Sequence, residues 1–461
     1  MTFDFRGKKI LIMGLGLHGG GVGAARFFAA HGASLIITDL RTRKELETSL
    51  IKLKHIPHIS YTLGQHKDSD FLSADLIVKN PGVPPTSPYL LLARKNHIAI
   101  TTDVGIFLRQ CPAPIIGVTG TRGKSTTSFL IEQFLKTFFK KNNTKKQQHV
   151  FLGGNIRTSV LDFLDKVTSH DIVVLELSSF QLNDIAHDSW NVKPNERKSP
   201  HIAVLTNMMR DHLNWHGTMQ HYIKAKSVIF AYQTKQDLLF ANGSDAMVRN
   251  ITAQARSHVT FPRLPDNMQQ IVDKNIGAHY RSSVALAVGV AVHLGVPHTI
   301  IRSILTHFHG LPGRQEHIKI IQGVHYINDT TATIPDAAIA AIKRFCLLTK
   351  KAHLILIAGG SDKKLKFSEM ASVICNNVHH LILLPGTATE RLLVELAKKK
   401  KMTSHISIEK VSSMVQAVTK AHAVAVKGDY VLLSPGAASF GLFANEFDRG
   451  DKFILAVKTI R

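Results

Sequence analysis

Short apolar runs, each ending in a glycine or polar turn and followed by a segment of helical length, recur along the whole chain. Such alternation marks parallel α/β layers, because parallel strands need a crossover and lie buried on both faces. The runs fall into three blocks. The first opens with a strand from Lys9 to Met13, passes through a helix from about Val22 to Ala30, reaches a second strand ending at Asp39 and closes near Thr101 to Leu108. The second starts with a strand from Pro114 to Val118, holds VFLGGN, DIVVLELSSF and HIAVLTN, and ends at the turn His309 to Arg314. The third holds VHYIND, HLILIAGG, HLILLPG and DYVLLSPG. A chain of 461 residues is also too long for a single core and suits about three domains of ordinary size. The blocks place them at 1–108, 109–311 and 312–461. In open α/β sheets ligands gather beyond the carboxyl ends of the strands, so the residues after each run carry the functional information.

Composition excludes several classes. With 44% hydrophobic and 20% charged residues the chain has the make-up of an ordinary folded protein, not a disordered one. Cys111, Cys346 and Cys375 lie far apart, which suits a reducing compartment and argues against a disulfide framework or a thiolate metal site. Each is expected to be a small buried hydrophobe. The N-terminal residues run directly into a strand, and no apolar stretch reaches the ~18 residues of a membrane span. A cytoplasmic protein is expected. The formal charge of +24 admits nucleic acid, an anionic membrane surface or anionic small substrates. The dense basic runs, Lys140 to Lys146 and Lys398 to Lys401, follow helix-like segments and lack interleaved aromatic residues for base stacking. They read as solvated surface, with no nucleic-acid partner, and the tract 140–148 reads as an exposed loop.

Four strand-end motifs carry chemistry. Thr119-Gly120-Thr121-Arg122-Gly123-Lys124-Ser125-Thr126 lies between a strand and a helix. Backbone N–H groups of such a loop cradle polyphosphate, the lysine reaches the terminal phosphates and the serine hydroxyl can ligate Mg²⁺. ATP binding is the direct inference, although Val118 stands where the general phosphate-loop pattern has its first glycine. Glu176 ends the strand DIVVLE, where a carboxylate can hold Mg²⁺. His212 follows the strand HIAVLT within NMMRDHLNWH; alone, such a histidine is as readily a surface or core residue. Gly14, Gly16 and Gly19, between a strand and a helix, with Asp39 ending the next strand, fit a dinucleotide fingerprint. That reading makes the chain an NAD-dependent oxidoreductase. The same turn serves other nucleotides or is purely structural, and no hydride-transfer constellation follows it.

Taken together these motifs resemble the Mur ligase family over nearly the whole chain. TGTRGKS alone indicates the Mur and folylpolyglutamate ligases as a group, while ELSSFQL, NDTTAT and SPGAASFGLFANEFDRG resemble the branch that adds D-glutamate. The resemblance implies three α/β domains: a Rossmann-like N-terminal domain, a central P-loop ATPase-type domain with a mostly parallel sheet, and a Rossmann-like C-terminal domain. It implies a monomeric, ADP-forming ligase that joins D-glutamate to UDP-N-acetylmuramoyl-L-alanine. Gly14, Gly16, Gly19, Asp39, Arg41, Asn80, Gly82 and Asn155 are then contacts of the UDP-linked substrate. Gly120, Thr121, Gly123, Lys124, Ser125, Thr126, Arg314 and Asp329 bind ATP. Ser125, Glu176, His212 and Lys226 hold two Mg²⁺ ions, with Lys226 carrying a CO₂-derived carbamate, and Lys124, His212 and Lys226 are the catalytic set. Thr333, Lys363 and Ser439 receive the incoming amino acid, an ammonium and two hydroxyls suiting a dianion.

The chain departs from the family pattern at two places. His279-Tyr280-Arg281-Ser282-Ser283 replaces a His-Asn-x-x-Asn segment, so neither asparagine amide is present for adenine. Thr331 stands where some members carry lysine. Related ligases that take another amino acid, such as L-glutamate, stay open on sequence alone, as do two exposed helix lysines at Lys224 and Lys226.

Overall fold

The structure is a computed structural model and describes the chain apart from residues 1–3, 18, 143–147, 157–158, 191–198, 309, 350–352, 363–364, 400–405 and 461. It divides into two compact units, Met1–His307 and Phe308–Arg461. The first unit carries two sheets and the second carries one.

The first sheet contains β1 (Lys9–Met13), β2 (Ser34–Asp39), β3 (Ile59–Leu63), β4 (Leu76–Lys79) and β5 (Ala99–Thr101) in the order β3-β2-β1-β4-β5, all parallel. The order reverses between β1 and β4, so the loops after those strands flank a crevice at the topological switch point. Those loops start at Gly14 and Asn80. The second sheet contains β6 (Ile115–Thr119), β7 (Val150–Gly154), β8 (Ile172–Glu176), β9 (Ile202–Leu205), β10 (Leu238–Ala241) and β11 (His258–Thr260) in the order β11-β10-β9-β6-β8-β7. Here β6 lies between β8 and β9, and all pairings are parallel. Three loops therefore meet at one end: the glycine loop after β6, the segment after Glu176 and the segment after Leu205.

The central strands are apolar throughout because helices cover both faces. β6 and β8 are buried at every position, the terminal Glu176 included. The helix Lys124–Asn142 follows the glycine loop and packs against the helix Arg281–His293. The two sheets of the first unit share one core, in which Phe107 meets Phe163 edge-on with ring centroids 5.3 Å apart.

In the second unit, β12 (Glu316–Ile321), β13 (Val324–Asn328), β14 (Leu354–Gly359), β15 (His380–Leu384), β16 (Ser407–Lys410) and β17 (Tyr430–Leu433) take the order β12-β13-β17-β14-β15-β16. Only β12 runs antiparallel, paired to β13 through the two-residue turn Gln322-Gly323. Both turn residues have positive φ, 50° and 82°, the geometry that matches strand twist in tight hairpins. Separate apolar clusters cover the two faces of this sheet. The loops after β13, β14 and β17 open at one end.

Two expectations are corrected. Only Cys375 is buried; Cys111 and Cys346 are half-buried, and all three are free thiols. The basic tract begins inside a helix that runs to Asn142, not in a loop, with Lys140 and Lys141 exposed on its last turn; residues 143–147 lie outside the described residues. Among the described residues no helix is long and apolar enough to cross a membrane.

Candidate active site

Gly120 and Gly123 let the loop after β6 fold tightly, with φ of 146° and 81°. Its backbone is held from β9's side. Asn207 Oδ1 accepts from Arg122 N at 2.8 Å while Asn207 Nδ2 donates to Arg122 O at 3.0 Å, so one amide holds both the N–H and the carbonyl of a single residue. Thr206 Oγ1 donates to the same carbonyl at 2.6 Å. The Thr121 hydroxyl accepts from Met209 N at 2.9 Å and lies 3.0 Å from the Tyr222 hydroxyl. Lys124 Nζ folds back onto its own loop, donating to Gly120 O and Thr121 O at 3.0 Å each. An ammonium over a ring of loop carbonyls and amides is a suitable resting place for a group that meets terminal phosphates.

The helix Met219–Ala231 delivers a second amine to this point. Lys226 Nζ donates to Gly120 O at 2.8 Å, while Lys224 on the same helix is exposed. Only 2% of Lys226 is exposed. Burial, reinforced by the Lys124 ammonium, pulls its amine down to about 6 and outweighs the attraction of Asp211 and Glu176. On the other side, Glu176 Oε1 accepts from Asn155 Nδ2 at 3.0 Å. Its second oxygen, Oε2, is buried and has no hydrogen-bond partner among the described residues. Asn155, grouped by sequence with the UDP contacts, is thus engaged with the carboxylate at the end of β8. His212 sits in a left-handed backbone conformation, φ 51°, beside the Phe180 ring at 4.9 Å. Burial lowers its imidazole below the usual histidine range despite Asp211.

A buried carboxylate oxygen without a donor suits a hard cation, and of the expected set the Glu176 carboxylate and the Ser125 hydroxyl are oxygen donors of the kind Mg²⁺ takes, whereas the His212 imidazole is an unusual ligand for that ion. Among the described residues no group of three or more His, Cys, Asp or Glu is poised for a metal. The expected set contributes only Glu176 and His212 to such a count; Ser125 and Lys226 belong to other chemical types.

At the switch point of the first sheet, Asp39 accepts from Gly16 N at 3.0 Å through one oxygen and from Arg41 N at 2.9 Å through the other. Asn80 Nδ2 lies 3.4 Å from Gly14 O, and Asn80 Oδ1 accepts from Gly82 N at 3.0 Å. Gly14, Gly16, Asp39, Arg41, Asn80 and Gly82 are therefore brought together, and Gly19, φ 94°, caps the helix Gly20–Ala30. In the second unit, Asp329 accepts from Gln315 N at 3.1 Å and from Ser434 Oγ at 2.7 Å, and its burial raises the carboxyl to about 7. Arg314 is exposed, Thr333 half-buried and Ser439 buried, on loops that meet at one end of the sheet. Lys363 lies outside the described residues.

Family models match three stretches of the chain: the N-terminal domain of MurD-like Mur ligases at residues 8–102, the Mur ligase middle domain at 118–296 and the Mur ligase glutamate ligase domain at 313–436. The chain is 37% identical over 478 residues to the UDP-N-acetylmuramoylalanine–D-glutamate ligase of Roseiflexus sp. (strain RS-1), covering 97% of each protein. The chain belongs to the Mur ligase family. A second relative of the same name, from Borreliella afzelii (strain PKo), is 36% identical over 469 residues, covering 98% of this Mur ligase and 97% of that one. Among solved structures, the MurF ligase of Thermotoga maritima in complex with ADP superposes with a TM-score of 0.53 at 16% identity, covering 98% of this chain and 96% of that one. The likeness shows a shared three-sheet α/β fold.

Several residues that shape the site of this Mur ligase escaped the sequence reading. Asn207 and Thr206 fix the glycine loop, and Tyr222 meets it through Thr121. Ser178 and Gln181 form a reciprocal capping box that starts the helix Ser179–Ala186, a pattern detectable in the sequence as S-x-x-Q. Arg449, wholly buried, donates to Thr330 Oγ1, Thr330 O and Ala437 O, and so ties the loops after β13 and β17 together. A Cβ at Gly120 collides with Thr206 Oγ1, and the backbone there has the φ that side chains rarely adopt. Gly120→Ala is expected to cost about 2–4 kcal/mol of stability, read from the denaturant midpoint; an unchanged midpoint refutes the loop geometry.

Proposed function

We propose that this enzyme activates the carboxylate of UDP-N-acetylmuramoyl-L-alanine with ATP and joins it to D-glutamate. The observation that carries the reading is the convergence at Gly120: Lys124 and the buried Lys226 both reach its carbonyl on a nucleotide-type loop. A carboxylate is a poor electrophile, so it attacks the γ-phosphorus in line, the bond to the β-bridging oxygen breaks, and an acyl phosphate and ADP result. Lys124 neutralises charge on the transferring group. The glutamate amine then attacks the acyl carbon and expels phosphate. Gly120, Thr121, Gly123, Ser125 and Thr126 cradle the triphosphate, with Arg314 and Asp329 as further ATP contacts. The crevice of Gly14, Gly16, Gly19, Asp39, Arg41, Asn80 and Gly82, with Asn155, takes the UDP-linked substrate, and Thr333, Lys363 and Ser439 take glutamate.

Ser125, Glu176 and His212 are the residues to hold two Mg²⁺ ions, with Lys226 joining them as a carbamate. Bound there, Mg²⁺ offsets the negative charge of the phosphoryl groups. The carbamate reading has a chemical basis in the burial of Lys226 beside a like charge: an amine kept neutral attacks the carbon of CO₂ and releases one proton, exchanging an uncharged nitrogen for an anionic oxygen donor. The domain division at 1–108, 109–311 and 312–461, a cytoplasmic location and a monomeric state belong to the same reading; three sheets and three unpaired cysteines support it.

The test is phosphate release by the purified protein with ATP, Mg²⁺ and UDP-N-acetylmuramoyl-L-alanine, comparing D-Glu, L-Glu and L-Lys. Release is expected only with D-Glu. Release with L-Lys alone overturns the assigned amino acid, and release with L-Glu alone reassigns its handedness.

A further inference from the structure

Within the first unit, the last residue of β4 makes a contact that the chemistry above does not use. Lys79 Nζ donates to Asp184 Oδ2 at 2.5 Å, and only 3% and 5% of the two side chains are exposed. Lys79 belongs to the first sheet. Asp184 lies on the helix Ser179–Ala186, which begins just past Glu176 in the second. The pair therefore joins two sheets at two functional positions. On one side the next residue is Asn80, whose amide closes on Gly14 and Gly82. On the other, the capping box at Ser178 starts the helix two residues after the Glu176 carboxylate.

Burying such a pair is not an efficient way to gain stability, because desolvation of both charges offsets most of their attraction, and apolar residues of similar volume commonly do as well. What the pair supplies is a fixed distance. We propose that Lys79 and Asp184 are positioning residues, which hold the substrate-binding crevice of the first sheet in register with Glu176 and the glycine loop. The inference rests on the functional reading above. A second tie runs beside it: Asp188 Oδ2 accepts from Thr101 Oγ1 at 2.7 Å and Arg109 Nη2 at 2.8 Å, and Ser189 N donates to Ile100 O at 3.1 Å. Gly105 allows this approach, since a Cβ there collides with the Asp188 carboxylate. The second tie keeps the sheets joined when the first is cut, so losing Lys79 alters register without separating them.

The experiment measures kcat, the KM of the UDP-linked substrate, the KM of ATP and the melting temperature for Lys79→Met, Asp184→Leu, the double variant and wild type. Each single variant is expected to raise the KM of the UDP-linked substrate about tenfold while leaving that of ATP within about twofold. The double variant regains the wild-type melting temperature and keeps the raised KM. A double variant with wild-type melting and wild-type KM overturns the proposal, as do single variants in which both KM values rise equally. Should the neutral variants fail to fold, Asp184→Glu decides: it keeps the charge pair but lengthens it by one methylene, and a KM within twofold of wild type refutes positioning. Absence of wild-type turnover with the UDP-linked substrate sinks the functional reading instead, so the two failures are distinguishable.

Discussion

Lys226→Ala is expected to lose at least about 10³-fold in kcat, and millimolar acetate or formate is expected to restore part of the loss. An ordinary helix lysine keeps its ammonium in water, as Lys224 does, but Lys226 is enclosed and shares the Gly120 carbonyl with Lys124. Two ammonium groups on one carbonyl repel, and the enclosed one gives up its proton near pH 6. Between about 6 and the usual lysine value of 10.5 the folded protein holds a neutral amine while the unfolded chain holds a charged one, so stability grows with pH across that window. In CO₂-free buffer at pH 7, Lys226→Met is accordingly expected to be more stable than wild type by about 2 kcal/mol or more, while inactive. A residue that costs stability and is needed for turnover has a functional reason to be where it is. Rescue by a small carboxylate separates that reason from charge alone, since acetate replaces an anionic oxygen donor and cannot replace an ammonium. Full activity in Lys226→Ala, or rescue by methylamine in place of acetate, removes the carbamate from the mechanism.

The sequence reached the strands and loops whose signals are local. β1, β6, β8, β14 and β17 are apolar runs because they are covered on both faces, and the glycine loop is a contiguous string between one such strand and its helix. The edge strand β16 was invisible for the opposite reason: SIEK is largely exposed and carries two charged residues, so nothing apolar marks it. The hairpin of β12 and β13 was missed because Gln322 takes the left-handed conformation usually signalled by asparagine or glycine. The first two blocks share a core through contacts such as Phe107 with Phe163, which no stretch of sequence reveals. At the site, strand-end residues were legible one by one, whereas the groups that hold them come from afar. Asn207 lies 85 positions from the Arg122 backbone it holds, and Lys79 lies 105 from Asp184. Burial separates Lys226 from Lys224; in the sequence both are simply lysines on a helix.

Glu176→Gln should lower kcat by about 10²- to 10³-fold and raise the Mg²⁺ concentration for half-maximal activity at least about tenfold. The substitution keeps the oxygen that accepts from Asn155 and replaces only the buried oxygen that has no donor. In the metal-free protein that oxygen is a cost, on the order of 1–3 kcal/mol for a buried polar group left unpaired and more for a charged one. Thermal melting in EDTA is therefore expected to show Glu176→Gln at least as stable as wild type. Addition of Mg²⁺ with ATP should then stabilise wild type more than the variant, because bound ligand adds stability as RT ln(1 + c/Kd), with c the free ligand concentration, and the variant binds Mg²⁺ more weakly. The two measurements separate a structural carboxylate from a ligand. If Glu176 mainly anchors Asn155 and the loop after β7, glutamine preserves that bond and both the Mg²⁺ dependence and the turnover stay at wild-type values, which would end the assignment of this carboxylate to the metal.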